Sequence, residues 1–88
     1  MRALAIRWSR AKSAELKRTR GVSFEEIVRA ELLGVLEHPT RPNQDLLLLL
    51  LDGYVWVAPF VTTEDGIFLK TLFPSRKLTR RWRRGEPI

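Results

Sequence analysis

The side chains able to do chemistry in this 88-residue chain are lysine, arginine and glutamate. Cysteine is absent and His38 is the single histidine, which excludes thiolate nucleophiles, disulfides, Cys-based zinc sites and a histidine acid–base pair. No Gly-rich phosphate cradle is present. The remaining set can still cleave RNA. The nucleophile is then the substrate's own 2′-hydroxyl, and the protein need only position it, move a proton and neutralise the phosphate. Such a site calls for no metal and no cofactor. The same cations also bind phosphates without any reaction, which is the commoner use of a basic patch.

The charge is unevenly spread. Residues 1–20 carry seven basic side chains and one acid, Glu15, while residues 76–88 carry six and one acid, Glu86. Between them, residues 21–75 hold only Arg29, Arg41 and Lys70 against eight acids. A fold that joins the two ends makes a positive face suited to phosphates or to an acidic protein. Solvated faces of two short helices are the plainer reading.

The elements that must position these groups follow from pattern. Leu4, Ile6 and Trp8 alternate with Ala3, Ala5 and Arg7 and predict a short strand. Ser9 caps a helix over residues 10–20, and Gly21 stops it. Ser23 and Glu26 form a capping box that starts a second helix, expected to run to about Leu33 and to end at Gly34. Pro39 and Pro42 make residues 37–44 a loop. Residues 46–51 and 54–60 flank Asp52-Gly53, the strongest short hairpin signal. The unbroken leucines fit an interior strand, although periodicity alone also allows a buried helical segment. After a polar turn over 62–66, residues 67–73 read as the third strand of a meander. Pro59 implies an edge or a bulge. Ser75 caps a basic helix over 76–84, which Gly85 and Pro87 end. The predicted fold is a single α+β domain over residues 1–88, with a short N-terminal strand, two helices packed on a small antiparallel three-strand meander, and a basic C-terminal helix.

Each charged candidate also has a plain structural reading. Glu26 is a capping-box acid, Glu25 a helix-dipole partner, and Lys12 and Lys17 belong to a solvated helix face. Arg76 and Lys77 differ, because cations at a helix N-terminus oppose its dipole at a cost of about 0.3–1 kcal/mol. Residues set against local preference often serve a site, which puts Arg76 first among the candidates. His38 has no neighbouring acid or second ligand. Trp8 and Trp56 read as core, while Trp82, amid arginines, could stack on a base or on an arginine.

The stretches Trp8-Ser9-Arg10-Ala11-Lys12, Glu15-Leu16-Lys17 and Gly21-Val22-Ser23-Phe24-Glu25-Glu26 resemble the N-terminal half of the BrnT-type toxins of bacterial toxin–antitoxin pairs. In that family Trp-Asp-x-x-Lys leads through a short helix and a Lys-His-Gly turn to Val-Ser-Phe-Glu-Glu. Ser75-Arg76-Lys77-Leu78-Thr79-Arg80-Arg81 resembles the family's Ala-Arg-Arg-Ala-Thr-Arg-Arg segment after a strand. The resemblance covers about half the chain. It implies a RelE-like fold, an endoribonuclease that inhibits translation, and a cognate antitoxin as partner; the basic side chains would supply the positive charge, so the reaction is expected to be metal-independent. By position, Lys12 matches the helix lysine, Glu25 and Glu26 the acidic pair, and Arg76, Lys77 and Arg80 the basic cluster. Arg20 stands where the family has His, and the arginine expected after the second hairpin strand is missing, so either Arg20 or Lys70 supplies that charge or the chain is a divergent member with weak or no nuclease activity.

The implied mechanism has Glu25 or Lys12 assisting deprotonation of the 2′-hydroxyl while Arg76 and Arg80 hold the scissile phosphate. Arg20, Lys70, Lys77, Arg81, Arg83 and Arg84 would bind the surrounding RNA. A non-catalytic nucleic-acid- or protein-binding module on the same fold is the rival from another class. A third reading is an interaction protein that forms a homodimer through the hairpin edge. The longest aliphatic run, residues 46–51, is far short of the roughly 20 residues of a membrane span, and a cytoplasmic location is expected.

Overall fold

The structure, a computed structural model, describes residues 4–88. In chain order its elements are β1 (Ala5–Trp8), α1 (Arg10–Arg20), α2 (Phe24–Ile27), β2 (Glu31–Glu37), β3 (Asp45–Leu51), β4 (Tyr54–Thr62), β5 (Gly66–Leu69), β6 (Phe73–Pro74) and α3 (Arg76–Arg83). Arg2 and Ala3, the first basic residue and the first of the alternating run, lie outside the described residues. The strands form one six-stranded mixed sheet of order β1-β5-β4-β3-β2, with β6 pairing β4. The predicted three-strand meander under two helices is therefore corrected to a six-stranded mixed sheet with three short helices.

The local signals form as their chemistry dictates. The Ser9 hydroxyl accepts from Lys12 N–H at 3.1 Å, and Gly21, at φ 81°, donates to the Lys17 carbonyl. The Ser23–Glu26 capping box is complete in both directions. Asp52 and Gly53 both adopt left-handed backbone, φ 51° and 75°, which is what a two-residue type I′ hairpin requires. From that turn β3 and β4 pair without interruption, Leu51 opposite Tyr54 through to Asp45 opposite Phe60.

The second helix is where local pattern and tertiary structure part. α2 stops at Ile27 after one turn, and residues expected to continue it become β2, antiparallel to β3. Leu32, Leu33, Val35 and Leu36 suit either state, but β3 is a leucine strand with a full ladder of backbone groups to satisfy on each side. Pairing with β2 covers that ladder. Gly34, read as a helix stop, instead follows a register shift between Leu32 and Gly34, the position of a β-bulge.

The third meander strand is also divided. β5 pairs Phe60–Thr62, β6 pairs Trp56 and Val57, and the chain between them turns inward to bury Leu72. Pro59 sits opposite this break, in a central strand rather than at an edge. Its carbonyl accepts Lys70 N–H at 2.8 Å, and its missing donor falls where β5 gives way to β6. Below β6, Ser75 N–H bonds the Val55 carbonyl at 2.9 Å, and the Thr79 hydroxyl accepts Val55 N–H at 2.8 Å. β4 is thus satisfied along its length, and α3 is anchored to it.

Paired residues share a face of a sheet. Leu49, Trp56, Ala58, Phe60 and Leu69 pack on one face against Leu16 of α1 and Phe24 and Ile27 of α2. On the other face Leu48, Val55 and Val57 are also buried, so β3 is interior as its leucines suggest.

β1 joins β5 in parallel, Ala5 opposite Gly66 through Trp8 opposite Leu69. Beside this junction Arg7 forks onto Asp65, with Nη1 to Oδ1 at 2.7 Å and Nη2 to Oδ2 at 2.8 Å. The Arg7 hydrogen bonds, aided by its charge, lower the Asp65 carboxyl to about 2. A carboxyl lowered on folding stabilises the fold fully above its unfolded pKa, near 4, and loses that contribution as pH falls through the folded value. Chemical denaturation from pH 5 downward should therefore show wild type losing stability between about pH 4 and 2, with Asp65→Asn showing a shallower loss. Identical pH profiles for the two proteins would rule the pair out as a source of acid sensitivity.

Candidate nucleic-acid interface

Most of the predicted site residues fall into two groups. Lys12 and Glu25 lie at the α1–α2 corner. The Glu25 carboxylate accepts Trp8 Nε1–H at 2.9 Å and also the Ser13 hydroxyl, whose oxygen in turn accepts Phe24 N–H at 2.9 Å. Glu25 thereby ties β1, α1 and α2 together, with the Trp8 and Phe24 rings tilted against each other at 6.0 Å. The Ser13 hydrogen bond, then the residue's own backbone and Trp8, push its carboxyl below the usual range. That makes Glu25 a weaker base than an ordinary glutamate, whereas a general base at neutral pH gains from a raised pKa. Glu26 is likewise lowered, chiefly by Lys17, whose Nζ lies 2.8 Å away. Lys12 Nζ stands 3.7 Å from Glu15 on the same helix.

Two further candidates have structural engagements. Arg20 donates through Nη1 to the Leu72 carbonyl and pins the end of α1 to the segment that precedes β6. Lys70 holds its ammonium 5.7 Å from the centre of the Phe68 ring. His38 accepts Thr40 and Arg41 N–H on Nδ1, at 3.2 and 3.1 Å, and so shapes its own loop.

The second group is on α3, where five of the eight residues, Arg76, Lys77, Arg80, Arg81 and Arg83, are cations. Ser75 caps the helix through Leu78 N–H, and no acid occupies its first turn. The buried Thr79 fixes which face turns outward. Residues four apart lie one above another about 6 Å along the axis, so Arg76, Arg80 and Arg84 form one row with Lys77 and Arg81 beside it. These five cations and Glu86 line an open concavity of about 420 Å³. It contains neither Lys12 nor Glu25. Arg83 points elsewhere, donating to the Gly53 carbonyl at 3.3 Å. Among the described residues Arg76, Lys77 and Arg80 have no acidic partner within ion-pair distance.

Sequence reasoning named the five cations but missed Glu86, which reaches them only because the chain reverses at Gly85. It also missed the Trp8–Ser13–Glu25 network, which has no local signature. Trp82 is only partly exposed.

Elsewhere, Ile6, Val28 and Leu32 border an apolar cavity of about 180 Å³ lined entirely by aliphatic side chains, which offers no acid, base or phosphate ligand. The homodimer expected through the hairpin edge finds no edge there, because β3 and β4 are both interior strands. β2 is the long free edge. Antiparallel self-pairing of β2 about Gly34 would set Glu31 against Glu37, an unfavourable like-charge pair. Among the described residues no group of three His, Asp or Glu is placed to hold a metal ion, and no helix is long and apolar enough to cross a membrane. No family model, curated protein or solved structure matches the chain.

Proposed function

We propose that this protein binds RNA in the cytoplasm through the outward face of α3, gripping the phosphodiester backbone without reading its sequence. The observation that carries this reading is the row of Arg76, Lys77 and Arg80, three cations without acidic partners on one rigid, anchored helix. Phosphate contacts from such a row release counterions, so affinity falls with salt by about 0.7 logarithmic units per contact on single strands. In anisotropy titration of a labelled single-stranded RNA those three contacts should contribute about −2 to the log–log salt slope. In the doubly substituted Arg76→Ala/Arg80→Ala protein the slope should shrink by about 1.4, with affinity at low salt down roughly tenfold or more. Unchanged binding in a variant that keeps its helical circular dichroism would refute the assignment.

A second reading, the endoribonuclease toxin of a toxin–antitoxin pair, is favoured by one specific coincidence. The three unpaired cations are the same residues that match the basic cluster of the BrnT-type toxins. In that reading Arg76 and Arg80, with Lys77, stabilise the charge that develops on the phosphate as the RNA's 2′-hydroxyl attacks it. An acidic segment of the antitoxin would neutralise the same face. The depressed Glu25 carboxyl, held by Trp8 and Ser13, weighs against that residue as the base. Incubation of labelled RNA with the protein in EDTA separates the readings: products ending in 2′,3′-cyclic phosphate mark the nuclease, and intact RNA with salt-dependent binding marks the binder.

A further inference from the structure

Glu86 is the one acid among the five cations of the α3 concavity, and the chain is built to put it there. Gly85 adopts φ 73° and donates to the Trp82 carbonyl at 3.0 Å, while Glu86 N–H returns to the Arg81 carbonyl at 2.9 Å. This double closure, the Schellman arrangement that reverses a chain at a helix end, sends residues 86 and 87 back along the helix. The Glu86 carboxylate then lies 2.6 Å from Arg84 Nε and 4.0 Å from Arg81 Nε. Arg81 is held from its other side by the Pro87 carbonyl, 2.6 Å from Nη2. The concavity is therefore divided. Arg76, Lys77 and Arg80 stand open, and Arg81 and Arg84 already face an anionic oxygen acceptor.

We infer that the Arg81–Arg84 end of the concavity is a second phosphate subsite, filled in the free protein by the Glu86 carboxylate, which a phosphodiester of bound RNA displaces; this rests on the RNA-binding reading above. A carboxylate and a phosphodiester present the same acceptor chemistry to guanidinium groups. Exposed ion pairs of this kind hold weakly, so the exchange is cheap once the open row has engaged the strand. Glu86 thus sets how tightly the face grips, by competing with one phosphate contact.

The test is titration of labelled oligouridylate at about 50 mM salt with wild type, Glu86→Gln, Glu64→Gln, Arg84→Gln and the Arg84→Gln/Glu86→Gln pair. Glu86→Gln should bind about threefold to tenfold more tightly, the worth of one freed contact at low salt. Glu64→Gln adds the same net charge from a distant turn and should stay within about twofold of wild type, as a local effect requires. In the Arg84→Gln background the Glu86→Gln gain should vanish. A Glu86→Gln protein no tighter than Glu64→Gln, or a gain that persists without Arg84, overturns the subsite while leaving the RNA reading in place. Absence of binding in wild type and Glu86→Gln alike overturns both.

Discussion

Replacing Gly66 by alanine should destabilise the fold by about 3 kcal/mol or more, at or beyond the upper end of ordinary overpacking costs. A Cβ built at Gly66 would lie 1.8 Å from the Ala5 carbonyl oxygen and 2.6 Å from its carbonyl carbon. These are backbone atoms of the paired strand, so no rotamer change relieves the collision, and β1 must move off β5. For a domain of this size that cost lowers the melting temperature by roughly 12 °C or more. Gly34 provides the control, because a Cβ there meets nothing within 4 Å. Gly34→Ala should melt within a few degrees of wild type. Equal melting temperatures for the two variants would mean that β1 does not approach β5 as described.

Thr79→Val should cost about 1–3 kcal/mol, the penalty for leaving a buried donor unsatisfied. The substitution keeps the side chain's shape and removes only the hydroxyl. That hydroxyl accepts Val55 N–H at 2.8 Å and donates to the Ser75 carbonyl at 2.7 Å, and both Val55 and Thr79 are buried. Water has no access to replace it. Thr79→Ser, which keeps the oxygen, should retain most of the stability in urea denaturation. Equal losses for Val and Ser would assign the effect to packing and sink the hydrogen-bond account.

Much of this architecture was legible where the signal was local. Asp52-Gly53 announces its hairpin because few other dipeptides adopt two successive left-handed conformations. Ser9, Ser23, Glu26 and Ser75 announce helix starts because their oxygens meet free amide groups. β2 was not legible, since the alternation of leucine, valine and glutamate after Arg29 suits a helix as well as a strand. The deciding term is the unpaired ladder of β3, well over a dozen positions away in some registers and invisible to any short window. The same holds for the split of the third strand and for Pro59, whose tolerance depends on where two other strands change over. For the site, the α3 cations were readable from composition and capping. The engagement of Glu25 by Trp8 and Ser13, and of Arg84 by Glu86, depends on folding that brings side chains together, and the residue types alone do not announce it.

The parallel pairing of Ala5 with Gly66 also bears on how the molecule assembles. The central hairpin and its β2 neighbour close through contacts among nearby residues, whereas β1 must wait for a partner about sixty positions later. Closing so long a loop is slow in proportion to the chain entropy it removes. During synthesis β1 is made well before its partner, and until β5 emerges Trp8 has no neighbour there and Arg7 no carboxylate. Translation speed through residues 54–69 would set how long that apolar strand stays open to wrong partners.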